Sequence, residues 1–525
     1  MASNSFDEYM QCIDDYMESG ENDIVDTFKC ITAENSHNEK SQQETMKVLF
    51  LVYCASLVFL MQAGFAMICS GCVRKKNVQN TILKNLLDVC GSSIAFFFVG
   101  YAFAYGGDPD TNSFIGNSNF LLMDTAANDT DGLGYAHWLF QFAFAATSAT
   151  IVAGTLAERC QMNAYLMYSM ILTGLVYPVI VHNIWSSSGF LSNINSKPLL
   201  GVGMIDFAGS GVVHVTGGTT ALIATIILGP RKGRFYDETG AKLEKPKVFP
   251  GHSKTLQMLG TMILWFGWYG FNAGSAIKLG SDVNPVVIAR SVVNTTLAGA
   301  TSGIVALMCN FIYSERKTGE PVYKLSAAMN GCLCGLAAIT GCCGIIEPWA
   351  SIAIGSIAGL LYLGTCFILD KLCIDDAVDA IPVHFAGGAW GVFATGLFAS
   401  PTGLNQLYGN NNSIHVGWFY SLGRGSGDFA LMSCQIIGFC CIIFWVVAVM
   451  TPFFFVLNYM GMLRSDALEE IVGLDVSYHG YSPSNLREEV PRDLIRAYYQ
   501  QHRPQYDLAT RDDEEKDTDN VDRIE

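Results

Sequence analysis

Charged side chains are scarce in this sequence. Of its 525 residues only 15% are Asp, Glu, Lys or Arg, whereas 50% are hydrophobic. Ordinary soluble domains carry about 25% charged residues. A water-soluble multidomain chain is therefore excluded, and we expect an all-α polytopic membrane protein.

Other features are also missing. The stretch Met1–Thr45 is acidic and polar without an apolar core, so no secretory signal peptide is evident and the first span itself is expected to direct insertion. There is no basic patch of the kind that binds nucleic acid. Cysteine pairs such as Cys342 and Cys343 lack the spacing of metal ligands. With no nucleophile or phosphate-binding loop either, we expect no enzyme, no metal and no cofactor.

What the sequence does contain is a series of apolar runs long enough to cross a bilayer. Three domains follow from them: an extension over 1–45, a membrane domain over 46–460 and a tail over 461–525 that we expect to be disordered at its end. The eleven predicted spans are 46–69, 85–106, 136–157, 164–185, 203–229, 256–275, 288–312, 325–345, 349–369, 377–400 and 428–460.

Lysines and arginines gather in alternate connections, above all in Arg74–Lys76 after the first span and Arg231–Lys247 after the fifth. By the positive-inside rule the N-terminus lies outside and the tail lies in the cytoplasm. The acidic ends of the chain carry most of its net charge of -16 and are expected to be solvated.

Two N-glycosylation sequons agree with this topology, because Asn128 and Asn411 fall in loops predicted to lie outside. A third, at Asn294, lies within a span and is interpreted as chance. Cys12 and Cys30 are also predicted outside, where a disulfide between them can persist. Two free thiols are the alternative.

Two histidines interrupt apolar, glycine-rich runs. His214 lies in DFAGSGVVHVTGG, eight residues after Asp206, which is about 12 Å along a helix. His384 lies in DAIPVHFAGGAWG, five residues after Asp379. Since their spans run in opposite directions, both histidines are predicted near the middle of the bilayer.

The number of spans suits an inverted repeat in which spans one to five and six to ten are related and the eleventh is added. His214 and His384 are then symmetry mates. Facing imidazoles can share a proton and line a narrow path, although each alone is as easily a core histidine bonded to a neighbour. Because the spans lack a ring of acidic side chains, the path suits a molecule that sheds its proton and crosses neutral. Ammonium and ammonia fit this description without being singled out.

Five segments carry a resemblance to the Amt/Mep/Rh ammonium transporter family, on its Amt side. It implies transport of ammonium, ammonia and methylammonium across the plasma membrane by a homotrimer with one pore in each subunit. The segments, in the family's order, are GTLAER at 154–159, DFAGSGVVH at 206–214, WYGFNAGS at 268–275, DDAVDAIPVHFAGGAWG at 375–391 and GLDVSYHG at 473–480.

The resemblance also implies roles for single residues. Trp185 and Ser275 correspond to an outer recruitment site, where an indole face attracts the cation and a hydroxyl accepts one of its N–H bonds. Phe144 and Phe271 match a stacked aromatic gate beneath it, and Asp206 matches an acidic position beside the entrance. The alternatives are an interfacial anchor for Trp185, packing for Ser275 and the phenylalanines, and an N-cap for Asp206.

Four further positions bear on the interpretation. Asp379 is expected to cap the tenth helix. Ser210 and Phe385 stand where relatives have glycine, and Phe385 either narrows the path or faces away from it. Ser477 lies in a tail segment that resembles the one packed against the pore mouths of the family's trimer, and its phosphorylation would add charge there.

Three hypotheses therefore stand. The first is an ammonium transporter or channel, with electrogenic or neutral passage. The second is a sensor, in which binding at Trp185 and Ser275 moves the tail with little flux. The third is a redox protein in which His214 and His384 ligate a haem.

Overall fold

The computed structural model describes residues 24–109, 111–277, 284–409 and 415–479 and five positions between 494 and 501, with side chains from residue 40 onward. Within these residues the chain forms helices and isolated β-bridges but no strand. The predictions for Cys12, for Asn411 and for the side chain of Cys30 lie outside the described residues.

A helix lies at each predicted span. Nine of those in the described ranges, all but α6 and α8, are long and apolar enough to cross a membrane, so the all-α polytopic prediction is confirmed. In chain order the helices are α1 Ile24–Cys72, α2 Lys75–Tyr105, α3 Leu133–Thr155, α4 Met162–Trp185, α5 Ser210–Leu228, α6 Lys254–Gly274, α7 Pro285–Thr318, α8 Leu325–Ile339, α9 Pro348–Lys371, α10 Ile381–Phe398 and α11 Ala430–Tyr459.

Short helices occur in the connections and in the tail. Met123–Asn128 precedes α3, and Pro401–Tyr408 and Trp418–Gly423 lie between α10 and α11. Ala467–Val472 and Leu474–His479 follow α11.

Helix α1 begins earlier than predicted. Its first residue is Ile24, within the extension that is expected to be solvated, whereas the apolar span starts at Met46. Neither glycine nor proline occurs between Glu21 and Ala63. Because these two residues are the ones that most weaken a helix, nothing in the sequence ends α1 at the membrane boundary.

Small residues let α1 and α6 pack closely along their length. A Cβ atom on Gly64 would lie 2.9 Å from the Leu264 side chain, and one on Gly260 would lie 2.6 Å from the Gly64 carbonyl oxygen. These are the first helices of the two proposed repeat units.

Helices α5 and α10 each begin with a six-residue π-helical turn, Ser210–Val215 and Ile381–Ala386, and each turn contains one of the two histidines. Turns of this kind are rare and recur at functional sites.

The glycine four residues after each histidine brings α5 and α10 together. A Cβ atom on Gly218 would lie 2.5 Å from the backbone nitrogen of Phe385, and one on Gly388 would lie 2.9 Å from the Cβ of His214. A larger residue at either glycine would push one helix away from the other and separate the two imidazoles.

Candidate functional site

The two histidines meet in the structure. The Nδ1 atoms of His214 and His384 lie 3.1 Å apart, with ring centroids at 5.1 Å and an angle of 23° between the planes. Both side chains are buried, at 0% and 4% exposure. One nitrogen must donate and the other accept, so a single proton lies between the rings.

Two stacked phenyl rings lie next to this pair. The ring centroids of Phe144 and Phe271 are 4.0 Å apart with a 17° angle, and both side chains are fully buried. The Phe271 ring lies 5.7 Å from that of His214, at 21°. The predicted gate and the predicted histidine pair therefore form one continuous column of rings.

Two more aromatic residues belong to this column. The Trp268 indole stacks against His214 at 5.5 Å, and Phe65 approaches His384 at 6.0 Å. The sequence reasoning assigned no role to either. Trp268 is the first residue of WYGFNAGS, three positions before Phe271, so helical spacing was a usable signal for it; Phe65 lies in α1 and carried none.

A cavity of about 450 Å³ opens above the gate. Trp185, Ser275 and Phe144 line it together, with Tyr105, His137 and Gln141 among the other lining residues. The end of the molecule that contains this cavity is called the vestibule end below.

The polar atoms of the two recruitment residues are oriented by the backbone. The Trp185 indole N–H donates to the Asp206 carbonyl oxygen at 2.7 Å, which fixes the ring on the cavity wall. The Ser275 hydroxyl donates to the Phe271 carbonyl oxygen at 2.9 Å, so its oxygen lone pairs remain to accept an N–H bond.

Asp206 stabilises the start of α5. Its carboxylate accepts hydrogen bonds from the backbone N–H groups of Gly209, Gly211 and Val212 at 3.0, 2.8 and 2.9 Å. The side chain is 2% exposed and does not line the cavity. This is the geometry of the N-cap alternative.

The capping role predicted for Asp379 is filled by Asp376 instead. The Asp376 carboxylate accepts the N–H of Ile381, the first residue of α10, at 2.7 Å. Asp379 has a φ of +60° and accepts from the Asn330 amide and the Tyr362 hydroxyl, both at 2.9 Å. The left-handed backbone turns its side chain away from the helix start and towards α8 and α9.

Ser210 and Phe385 contribute to packing between helices. The Ser210 hydroxyl donates to the Ala337 carbonyl oxygen and accepts from the Gly341 N–H, both at 2.8 Å, which ties α5 to the end of α8. The Phe385 backbone lies on Gly218, and its side chain is half-buried.

The two described sequon asparagines differ in exposure. Asn128 is exposed at the end of its short helix, whereas Asn294 is buried and donates to the Cys343 carbonyl oxygen.

Buried charges join the connections at the other end, called the tail end below. Arg231 binds the Asp375 carboxylate through Nε at 2.8 Å and Nη2 at 2.9 Å, and its Nη1 lies 3.4 Å from Glu158. Burial by itself raises the pKa of both carboxyls, but Arg231 outweighs it and holds each pKa below its ordinary value; Arg74 adds to this at Glu158 and Arg159 at Asp375.

The tail packs against the start of α2. The Asp475 carboxylate accepts the N–H groups of Gln79 and Asn80 at 3.0 and 2.7 Å, and the Leu474 N–H donates to Asn77 at 2.9 Å. Ser477, one turn further on, is 6% exposed, and its hydroxyl donates to the Gly473 carbonyl oxygen at 3.2 Å. The docked tail therefore hides the predicted phosphosite.

The comparison with protein families decides the identity of this arrangement. The protein-family model described as Ammonium Transporter Family matches residues 49–483 of the sequence. This range contains the column of rings, the vestibule and the docked tail. The chain belongs to the ammonium transporter family.

Several proteins named as ammonium transporters are similar to this chain over most of their length. Ammonium transporter 1 member 3 of Solanum lycopersicum is 41% identical over 449 residues, 84% of this chain and 94% of that protein. Ammonium transporter 3 of Dictyostelium discoideum is 38% identical over 450 residues, 85% of this chain and 96% of that protein.

Solved structures of ammonium transporter relatives match the fold. A protein titled Sensor Amt Protein superposes with a TM-score of 0.70 at 32% identity, covering 84% of this chain and 99% of that one. Mep2 of Saccharomyces cerevisiae gives a TM-score of 0.68 at 26% identity, covering 80% and 87%.

The geometry of the histidine pair argues against the haem hypothesis. Two nitrogen ligands about 2 Å from one metal on opposite sides would lie about 4 Å apart, whereas the Nδ1 atoms are 3.1 Å apart.

Proposed function

We propose that this ammonium transporter takes up ammonium at Trp185 and Ser275 and passes ammonia along the column of rings. An ammonium ion carries four N–H donors and one positive charge. The Trp185 face attracts the charge, and the Ser275 oxygen accepts an N–H bond. Both groups line one cavity directly above Phe144, which supports their joint action.

Water in the vestibule accepts the proton before the nitrogen crosses the gate, and the proton then crosses separately through the histidine pair. A cation between Phe144 and Phe271 would be desolvated without acceptors, at a cost of several kcal/mol. Neutral ammonia retains one lone pair and three N–H bonds, which imidazole nitrogens can match in turn. The observation that carries this proposal is the Nδ1 contact of 3.1 Å between His214 and His384, in line below the stacked phenyl rings.

We also propose eleven membrane spans in a five-plus-five inverted repeat with one added. Helices α6 and α8 fill the sixth and eighth predicted positions, and the paired π-helical turns of α5 and α10 have the local similarity that a repeat requires. The vestibule end then faces outside in the plasma membrane, Asn128 is a glycosylation site, and the protein is a homotrimer with a pore in each subunit.

The test is to measure current and methylammonium uptake together in oocytes expressing the protein. His214→Ala and His384→Ala are measured alongside, each with its surface amount determined. Saturable current with uptake, lost or uncoupled in the variants, is the expected result, because the proton then moves through the pair. Uptake without current would replace the electrogenic mechanism with neutral gas conduction. Neither signal from protein at the surface would overturn the transport proposal.

A further inference from the structure

A second cavity lies on the other side of α4 from the vestibule. Its volume is about 440 Å³, and it is formed by the vestibule end of α4, the connection that follows it and the middle of α11. Asn183 and Ile184 line this groove, whereas Trp185, the next residue, lines the vestibule. The groove walls include Phe114, Phe190, Cys440, Cys441, Phe444 and Trp445.

The groove faces the hydrocarbon of the membrane. Only 28% of the residues in the most apolar stretch of α11 are buried. Phe444, at the edge of the groove, is 74% exposed. Two contacts hold Trp445 in the inner wall of the groove. Its indole N–H donates to the Val176 carbonyl oxygen at 3.1 Å, and the Phe114 ring lies edge-on to it at 5.3 Å.

One polar group lies in this apolar groove. Asn183 is 6% exposed. Its carboxamide oxygen is fully buried without a hydrogen-bond partner, whereas its nitrogen is not fully buried and makes no hydrogen bond to the described residues. A buried amide without a partner is costly, on the order of 1–3 kcal/mol. Asn183 lies two residues before the end of α4, or about 3 Å along the axis.

We propose that this groove binds one phospholipid of the leaflet at the vestibule end. An acyl chain fills the apolar part between α4 and α11, and its ester carbonyl accepts a hydrogen bond from Asn183 Nδ2. A phospholipid matches this groove because Asn183 offers an amide donor near the vestibule end of α4. The apolar residues that line the rest of the groove suit an acyl chain. This inference does not depend on the transport mechanism, since the lipid is held outside the pore.

Fluorescence quenching by brominated phosphatidylcholine tests the proposal directly. The lipid is titrated into the full-length protein in detergent, and the Trp445 signal is isolated by subtracting the signal of Trp445→Phe. We expect this quenching to saturate at about one lipid per chain. Trp349, which is 56% exposed and lies away from the groove, serves as the reference for loosely bound lipid. Quenching of its fluorescence should require more lipid than quenching of Trp445.

Two variants test the hydrogen bond. Asn183→Leu preserves bulk and removes the amide, so the lipid ratio for half-quenching should rise by about threefold or more. Asn128→Leu, the same substitution at the exposed end of a short helix, should leave this ratio unchanged.

Three results would overturn the proposal. Parallel quenching of Trp445 and Trp349 would mean loosely bound lipid only. Stronger quenching of Trp445 by a brominated sterol would mean a sterol site. No quenching of Trp445 would mean that protein, such as a second copy of the chain, covers the groove.

Discussion

The Nδ1 atoms of His214 and His384 face each other at 3.1 Å, so the two rings must carry their protons differently. The ring that donates leaves its Nε2 unprotonated, and the ring that accepts has its proton on Nε2. Reversing the hydrogen bond therefore changes the protonation of both Nε2 atoms. The pair has two states of opposite direction, as a proton relay requires.

This sharing predicts that the histidine substitutions are not additive. His214→Ala or His384→Ala alone should lower the methylammonium current by about 100-fold, the lower end of proton-transfer contributions. The double variant should lower it no further, because either change already removes the shared proton. His252→Ala, in an exposed loop, should leave the current unchanged. Losses that multiply in the double variant would contradict a shared proton.

The phenyl stack predicts a defect in water exclusion. Phe144→Ala removes one of the two gate rings, so water should reach the histidines and the osmotic water permeability of proteoliposomes should rise. Phe142→Ala is the matched control: it is buried two residues away on α3 but stacks on Trp138. Both variants should lose about 3–5 kcal/mol of stability, yet only Phe144→Ala should leak. Equal permeability in both would remove the gate assignment.

The hydrogen bonds of Asp206 predict a stability effect that exceeds its effect on affinity. Asp206→Asn loses charge-assisted bonds to backbone N–H groups and should be destabilised by about 1.5–3 kcal/mol, measured by thermal unfolding in detergent. Asp237→Asn, whose carboxylate accepts similar bonds in an exposed turn, should change stability by about 0.5 kcal/mol or less. An Asp206→Asn protein of unchanged stability with weaker methylammonium affinity would show direct ligation instead.

Buried carboxyls at the tail end predict a stability maximum near pH 5. The lowered pKa values of Asp375 and Glu158 mean that their contribution is complete above about pH 4–5 and is lost as the pH falls through the folded-state values. Asp376 acts in the opposite sense: burial and the neighbouring Asp379 raise its pKa to about 7, so stability increases as the pH falls from about 8 towards 5.

Thermal unfolding between pH 2 and 8 separates the two contributions. Arg231→Met removes the bidentate partner of the buried Asp375 carboxylate and leaves Glu158 with Arg74. It should cost about 3–5 kcal/mol at neutral pH while flattening the loss in acid. Asp376→Asn should remove the rise between pH 8 and 5 only. Lys242→Met, exposed in the same connection as Arg231, is the control and should preserve both slopes.

Burial of Ser477 predicts that phosphorylation and tail docking exclude each other. A phosphate would bring a charge of about -1.5 to -2 into a buried position beside the Asp475 helix. Ser477→Asp should therefore expose the tail to trypsin, about tenfold faster for each 1.4 kcal/mol of lost docking energy, whereas Ser477→Ala should be cleaved like the unchanged protein. Regulation by a kinase that persists in Ser477→Ala would eliminate the phosphosite.

The sequence was most informative where the determining signal was local. Apolar runs located the eleven long helices. The predicted distance from Asp206 to His214 assumed an α-helix throughout, whereas the helix begins only at Ser210 and with a π-helical turn. Trp185, Ser275 and the gate phenylalanines followed from motif positions, and the structure brings them together.

The rest depended on contacts between distant segments. Whether Asp376 or Asp379 caps α10 is set by a left-handed backbone at Asp379, which no residue pattern revealed. The ion pairs of Arg231 join Glu158 and Asp375, 73 and 144 residues away along the chain. Such pairings require the folded arrangement of three separate connections.

The early start of α1 gives the protein a stalk. From Ile24 to Met46 the helix continues for 22 residues before the apolar span, or about 33 Å at 1.5 Å per residue. A continuous helix is stiff over that distance, so Ile24 is held away from the cavity entrance. If the vestibule end faces outside as proposed, an antibody or fluorophore attached at Ile24 would report arrival at the cell surface while leaving the route to Trp185 and Ser275 open.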